Sequence, residues 1–146
     1  MLSNSCRYGI RAVIYLAGQG EGRQVTGIKK ISADLNLPAP FLAKILQMLA
    51  RKKILNSVKG PHGGFSLLKK ASEITLAEII STIDGEEVFT GCIMHNGTCR
   101  SIDRNMNPCP IHDDYSGIRA EFIDLVKNRT IDDLIKKANA SDEIVI

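Results

Sequence analysis

Two patterns in this 146-residue sequence predict a mainly α-helical fold with one small β-hairpin. Several stretches repeat apolar residues at spacings of three and four, which is the period of an amphipathic helix. Downstream of two such stretches, short β-prone runs flank the turn-forming segment Lys59-Gly60-Pro61-His62-Gly63-Gly64. Two helices, a turn between them and a following hairpin predict a winged helix-turn-helix, in which the hairpin is the wing.

The helix-turn-helix is predicted between Thr26 and Arg51. Thr26 is placed to cap its first helix, and the turn Asn36-Leu37-Pro38 puts a proline at the first position of the second helix. In that second helix the apolar residues form one stripe: Leu42, Ile45, Leu46 and Leu49. The opposite face consists of small, amide and cationic side chains: Pro40, Ala43, Lys44, Gln47 and Arg51.

Such a face also occurs on ordinary surface helices, and for an isolated helix that interpretation is favoured. The neighbouring turn and wing favour a helix that lies in a DNA groove instead. Lys59 and His62 lie at the tip of the predicted wing, where they can meet phosphates. The residues expected to contact DNA are Thr26, Pro38, Pro40, Phe41, Ala43, Lys44, Gln47, Arg51, Lys59, Gly60 and His62.

Further helices are predicted around this unit. The first begins with Ser3 or Asn4 as its cap, ends near Gly18 and serves as scaffold. Another follows the wing, where Thr75 and Glu78 predict a capping box, and ends at Asp84-Gly85. A short helix near the C-terminus is capped by Thr130.

A longer helix is predicted from Ile111 to Lys127. Its apolar positions are spaced three, four and three, which is typical of a coiled-coil seam: Tyr115, Ile118, Phe122 and Leu125. Packing onto its own domain is the simplest interpretation of a single helix. The alternative is a partner helix across a two-fold axis, which would make the protein a homodimer.

The segment from Glu86 to Pro110 has no helical or strand periodicity, so a long loop that is either functional or disordered is expected there. Three of its residues are cysteines, and with the following histidine they form a candidate ligand set: Cys92, Cys99, Cys109 and His112. This set suits an iron–sulfur cluster or zinc, and a thiol redox switch or a loop without ligand also stays open. The remaining cysteine, Cys6, is expected to be a small hydrophobe, which is the more common role of a lone cysteine at such a position.

Charge divides the chain into two halves. Residues 1–75 contain 12 Lys and Arg against 3 Asp and Glu, whereas residues 76–146 contain 7 against 13. A basic half is typical of a surface that neutralises phosphates. Low aromatic content, 5% with no tryptophan, disfavours a single-strand binder built on stacking. The sequence shows no nucleotide-binding loop and no Ser/His/Asp order of a catalytic triad, so no motif indicates an enzyme.

We therefore expect a DNA-binding domain over residues 1–86, a cysteine-rich sensor loop over residues 87–112, and a dimerisation helix with a C-terminal helix over residues 113–146. The apolar run from Ile10 to Gly18 is too short to span a membrane and has no cleavage site. A cytoplasmic protein without a small-molecule substrate is expected.

The wing sequence Val58-Lys59-Gly60-Pro61-His62-Gly63-Gly64-Phe65, directly after a helix of this spacing, resembles that of the bacterial winged-helix regulators that include IscR, NsrR and CymR. The resemblance extends from Arg7-Tyr8 in the opening helix to the long helix near the C-terminus. It implies a homodimeric transcription regulator that binds a double-stranded DNA operator, and it favours the partner-helix interpretation of the seam.

In IscR-like members, three loop cysteines and a histidine three residues after the last hold a 2Fe-2S cluster. Cys92, Cys99, Cys109 and His112 match that order, with longer spacings between the cysteines than is typical. In an IscR-like dimer the start of the first helix approaches the cluster loop of the partner subunit, so the resemblance leaves open that Cys6 is a spare ligand. The resemblance thus implies sensing of redox state, nitric oxide or iron–sulfur status. Two alternatives stay open: a CymR-like regulator controlled by a partner protein or by thiol oxidation, and a small iron–sulfur electron carrier.

Overall fold

The computed structural model describes residues 2–94 and 110–140. Its helices are α1 (Asn4–Gly18), α2 (Ile28–Leu35), α3 (Ala39–Arg51), α4 (Leu76–Asp84), α5 (Glu87–Thr90), α6 (His112–Asn128) and α7 (Ile131–Asn139). Strand β1 (Leu55–Val58) pairs antiparallel with β2 (Gly64–Leu67), and short 3-10 helices occupy Gly20–Gly22 and Ala71–Glu73. The predicted winged helix-turn-helix fold is confirmed. None of the helices described is long and apolar enough to cross a membrane.

An apolar core lies between α1, the helix-turn-helix, the wing and α7. The predicted stripe of α3 is buried in it throughout: Leu42, Ile45, Leu46 and Leu49. Ile131 of α7 is fully buried in the same core, with Leu134 and Ile135 packed against it. The C-terminal helix therefore packs with α1 and shares the core of the helix-turn-helix and the wing.

Helix caps are largely where the sequence places them. Ser3 caps α1 by accepting the Cys6 N–H at 3.0 Å, and Thr130 caps α7 in a complete capping box. Thr75 caps α4, but the Glu78 side chain pairs with Lys69 and leaves that capping box half formed. Hydroxyl side chains at these positions satisfy N–H groups that have no partner within the helix.

Two predicted details of the helix-turn-helix are wrong. The cap of α2 is Gly27, because Thr26 pairs instead with Phe65 through two backbone hydrogen bonds of 2.9 Å. Pro38 is the cap of α3 and precedes its first residue, so the proline inside the first turn is Pro40. Pro38 and Pro40 both lie at the start of α3, where a proline removes no N–H that the helix needs.

A smaller apolar cluster lies at the N-terminal end of α1. It is built on the buried residues Cys6, Ile80 and Val126, which come from α1, α4 and α6. Val88 and Phe89 of α5 pack against it, and the Phe89 and Phe122 rings stack with centroids 6.4 Å apart. The prediction of an unbroken loop after Glu86 is therefore wrong. A helix of one turn is too short to show periodicity, and the packing of its apolar residues stabilises it.

The wing depends on two adjacent glycines. A Cβ atom on Gly63 would lie 2.2 Å from the carbonyl oxygen of Val58, and one on Gly64 would lie 2.2 Å from that of Thr26. Nearby, Gly60 adopts φ +108°, a conformation that residues with a side chain rarely take. These approaches explain why the turn segment between the strands is rich in glycine.

We expect Gly64→Ala to lower the free energy of unfolding by about 2–3 kcal/mol, because the wing would have to move away from Thr26. Gly117→Ala is the matched control, since its Cβ position in α6 has nothing within 4 Å. That variant should gain about 0.5–1 kcal/mol from helix propensity. Urea unfolding of both variants measures the difference, and equal effects would contradict the packing argument.

Candidate nucleic-acid interface and cysteine segment

The polar face of α3 is open to solvent, as is the tip of the wing. Among the residues predicted to contact DNA, the exposed ones are Pro38, Pro40, Phe41, Lys44, Gln47, Arg51, Lys59, Gly60 and His62. Ala43 is half-buried. Thr26 is only 5% exposed, and its backbone is engaged by Phe65. Thr26 therefore holds the wing in place, and its predicted contact with DNA is wrong because its side chain is buried.

A groove of about 320 Å³ lies between α3 and the wing. Gln47 lines one side, Ile28 lies at the start of α2, and residues Ser57 to Gly60 form the opposite side. Lys59 thus shares the groove with Gln47. A duplex that contacts the outer face of α3 would meet the wing at the same time.

Side chains from α1 and α2 set the position of the turn before α3. Arg11 donates to the carbonyl oxygen of Leu35 at 3.2 Å, which places a positive charge at the C-terminus of α2. Asn36 ends that helix in the left-handed conformation at φ +51°, and the Ser32 hydroxyl donates to the carbonyl oxygen of Leu37. The angle between the two helices is therefore held by hydrogen bonds as well as by apolar packing.

A second set of contacts fixes α2 on α1. The Tyr15 hydroxyl donates to Asp34, and the Lys30 ammonium lies 2.8 Å from the same carboxylate. These two donors, Lys30 first, hold the pKa of Asp34 below its usual range. Asp34 stays ionised at neutral pH and keeps its acceptor role.

The structure describes two of the four candidate ligands. Cys92 lies two residues after α5, and its sulfur accepts the backbone N–H of Met94 at 3.4 Å. His112 is the first residue of α6. Cys99 and Cys109 lie outside the described residues. Within residues 2–94 and 110–140, no group of three or more His, Cys, Asp or Glu side chains could hold a metal ion. The ligand set therefore stays a prediction.

The backbone before Cys92 is attached to α6. Arg119 donates to the carbonyl oxygen of Gly91 at 3.4 Å, and its guanidinium lies 5.7 Å from the centroid of the Tyr115 ring. Phe89, two residues before Gly91, stacks on Phe122, three residues after Arg119, and this stack also joins α5 to α6. Sequence analysis did not identify Arg119, because its partner is a backbone carbonyl distant along the chain.

Cys6 does not share the chemistry of the cysteine segment. It is fully buried, and burial together with the nearby Asp84 carboxylate raises the pKa of its thiol to about 12. A thiol that is buried and protonated is a poor ligand, because the thiolate is the form that binds metals. The structure supports the interpretation of Cys6 as a small hydrophobe.

A winged helix-turn-helix with a solvent-exposed recognition helix and wing tip defines a DNA-binding regulator. Residues 2–137 match the model of the Rrf2 family, which is described as an iron-dependent transcriptional regulator. The chain belongs to the Rrf2 family of transcriptional regulators, and its relatives there are regulators and not enzymes.

Individual relatives agree with this assignment. The chain is 32% identical over 135 residues to an HTH-type transcriptional regulator of Aquifex aeolicus, covering 92% of this chain and 91% of the relative. It is 27% identical over 141 residues to the regulator IscR of Pectobacterium carotovorum, covering 97% and 82%. The solved structure of oxidised Staphylococcus aureus CymR shares the fold with a TM-score of 0.71 at 25% identity, covering 100% and 98%.

We expect Lys59→Ala to weaken binding to every duplex and to make the salt dependence shallower by about one unit, because a wing lysine neutralises one phosphate. Gln47→Ala should instead change which sequences are preferred, by about 1–3 kcal/mol at the base pair concerned. Fluorescence anisotropy titrations at several salt concentrations measure both effects.

Lys137→Ala, at an exposed lysine of α7, is the matched control for charge and should leave binding unchanged. Equal losses for Lys59→Ala and Gln47→Ala on every sequence would contradict the division into phosphate and base contacts.

Proposed function

We propose that this protein is a cytoplasmic homodimer that binds double-stranded operator DNA and whose affinity depends on the state of its cysteine segment. The observation that supports it most directly is the exposed polar and cationic face of α3 beside an exposed wing, in a chain of the Rrf2 family. The electron-carrier alternative has no support, since the relatives are transcription regulators.

In this proposal α3 lies in the major groove and the wing follows the backbone. The residues assigned to base edges are Pro40, Ala43, Lys44 and Gln47, and those assigned to the backbone or minor groove are Lys59, Gly60 and His62. Gln47 of the first set and Lys59 and Gly60 of the second line the groove between α3 and the wing. Arg51, exposed at the end of α3, adds a positive charge within reach of phosphates.

Dimerisation is assigned to α6. Ile118 and Leu125, one heptad apart on the same face, are 63% and 52% exposed. Phe122 was predicted to belong to that seam, but it packs against Phe89 within its own chain. The partner-facing stripe therefore reduces to Ile118 and Leu125, with half-buried Tyr115 beside it. A two-fold axis here would place two α3 helices about one helical turn of DNA apart, or a multiple of it.

Cys92, Cys99, Cys109 and His112 would hold a 2Fe-2S cluster, and their thiolate and imidazole donors fit that group chemically. A bound cluster supplies a redox centre whose potential depends on the histidine ligand. The description of the family as iron-dependent and the similarity to IscR support this assignment.

Contacts within the described residues connect the cysteine segment to the DNA-binding core. Arg119 holds the backbone just after α5, and Phe122 stacks on Phe89 within α5. Val126 continues the packing to Ile80 of α4. At the end of α4, Asp84 accepts the Ser3 N–H at 2.8 Å and so ties that helix to α1. Ordering or releasing the segment after α5 would therefore shift α6 against the core and change the spacing of the two α3 helices.

Control without a cluster is the second candidate. It is favoured by the similarity to CymR, of which an oxidised form has been solved. In that case oxidation of the cysteines, or a partner protein, would act on the same segment. Zinc bound by the same four residues would stabilise the segment without any redox response.

We expect wild-type protein reconstituted with iron and sulfide without oxygen to take up about two irons per chain and to absorb visible light. Cys92→Ala, Cys99→Ala and Cys109→Ala should each lose this absorption, because each removes one ligand. Cys6→Ala is the matched control and should keep it, since Cys6 lies in the apolar cluster.

Iron counting and absorption spectra separate the candidates. Uptake of zinc alone, or absorption retained in all three loop variants, would exclude the cluster. Loss of DNA affinity on oxidation of protein without iron would favour the thiol alternative.

We expect Leu125→Asp to convert the dimer to a monomer at micromolar concentration, because it would place two carboxylates in an apolar contact across the axis. Sedimentation equilibrium measures the change. Lys127→Ala, at an exposed residue of the same helix that points away from Leu125, should stay dimeric. A wild-type chain that sediments as a monomer would contradict the assignment.

A further inference from the structure

The outer face of α3 combines one amide, two cations and several apolar groups, with no carboxylate anywhere between Ala39 and Arg51. Each base pair presents different chemistry in the major groove. Cytosine offers an amino donor that carboxylates accept, adenine pairs with Gln or Asn, and thymine exposes its C5 methyl group to apolar side chains. The composition of α3 therefore lacks the usual acceptor for cytosine.

Phe41 lies at the edge of this face, three residues before Lys44, and is 62% exposed. It lies in the first turn of α3, which begins at Ala39, and recognition helices contact base edges with their N-terminal residues. Met48, seven residues further along, is exposed on the same edge of the helix. The structure describes no contact that buries either residue, and both border the surface that includes Lys44.

We infer that Phe41 is a specificity-determining residue that packs on the C5 methyl group of a thymine in each operator half-site. Gln47 lies within the outer face that Phe41 borders, and it supplies the amide suited to adenine. We thus expect α3 to prefer A·T pairs in its half-site. Lys44 can contact a phosphate or a guanine. This inference rests on the proposed binding of duplex DNA by α3.

The test begins with selection of tight-binding duplexes from a random-sequence library with the full-length protein. In the enriched duplex, each thymine is then replaced by deoxyuridine, which keeps the base-pairing atoms and removes only the C5 methyl group. At one thymine per half-site, wild-type affinity should fall about fourfold for each methyl removed. Phe41→Ala should bind the thymine and deoxyuridine duplexes equally.

Two controls isolate the methyl contact. Phe41→Leu keeps an apolar side chain and should retain most of the discrimination. Lys59→Ala should weaken binding to both duplexes by the same factor and leave their ratio unchanged. Because Phe41 is exposed, its replacement should leave the thermal unfolding midpoint nearly unchanged, which verifies that the variants are folded.

The outcomes separate this inference from the function on which it rests. Enrichment of a duplex whose deoxyuridine versions all bind as tightly as the original would overturn the role of Phe41 alone. Weaker binding by Phe41→Ala without any deoxyuridine effect would also overturn it, and would indicate a contact other than the methyl group. Failure to enrich any duplex would overturn both proposals.

Discussion

The backbone pairing between Thr26 and Phe65 determines how the wing stands relative to the helix-turn-helix. A two-stranded hairpin is at best marginally stable by itself, so the wing needs this attachment to keep one orientation. The pairing is possible because Gly64 lets the two backbones approach within a distance that no side chain permits. Gln47 on α3 and Lys59 on the wing then face one groove.

The two apolar clusters hold together different parts of the chain. The larger one unites α1, α2, α3, the wing and α7, and it positions α3 and the wing relative to each other. The smaller one lies where α1, α4, α5 and α6 meet, next to the cysteine segment. Cys6 belongs to the smaller cluster as a packing residue. A signal at Cys92 would reach the larger core through α4 and α1, which contribute to both clusters.

The sequence predicted the elements whose signals are local. The stripe of α3, the caps at Ser3 and Thr130, and the glycine-rich wing turn follow from periodicity and turn chemistry, and all are present in the structure. The errors arose where distant residues compete for a group. Thr26 does not cap α2, because its backbone pairs with Phe65. The Glu78 side chain forms an ion pair with Lys69 instead of completing the capping box. Helix α5 forms because its two apolar residues pack against α6.

In the candidate site, too, local features were predictable from the sequence and contacts between distant residues were not. Exposure of Lys44, Gln47 and Lys59 was predictable, because helical and hairpin periodicity determines which side chains face solvent. The packing of Phe122 against its own chain was not predictable, because nothing local in the sequence indicates that Phe89 stacks on it. The ligand roles proposed for Cys99 and Cys109 rest on their order in the chain.

The burial of α7 in the main core has a consequence for synthesis on the ribosome. The helix-turn-helix and the wing leave the exit tunnel early, yet their core lacks Ile131 until the last helix has emerged. The earlier segments must therefore wait with apolar surface exposed, which is the condition under which nascent chains depend on chaperones. A ribosome that stalls before residue 131 would release a chain whose DNA-binding head is incomplete, so truncated products would compete poorly for operators.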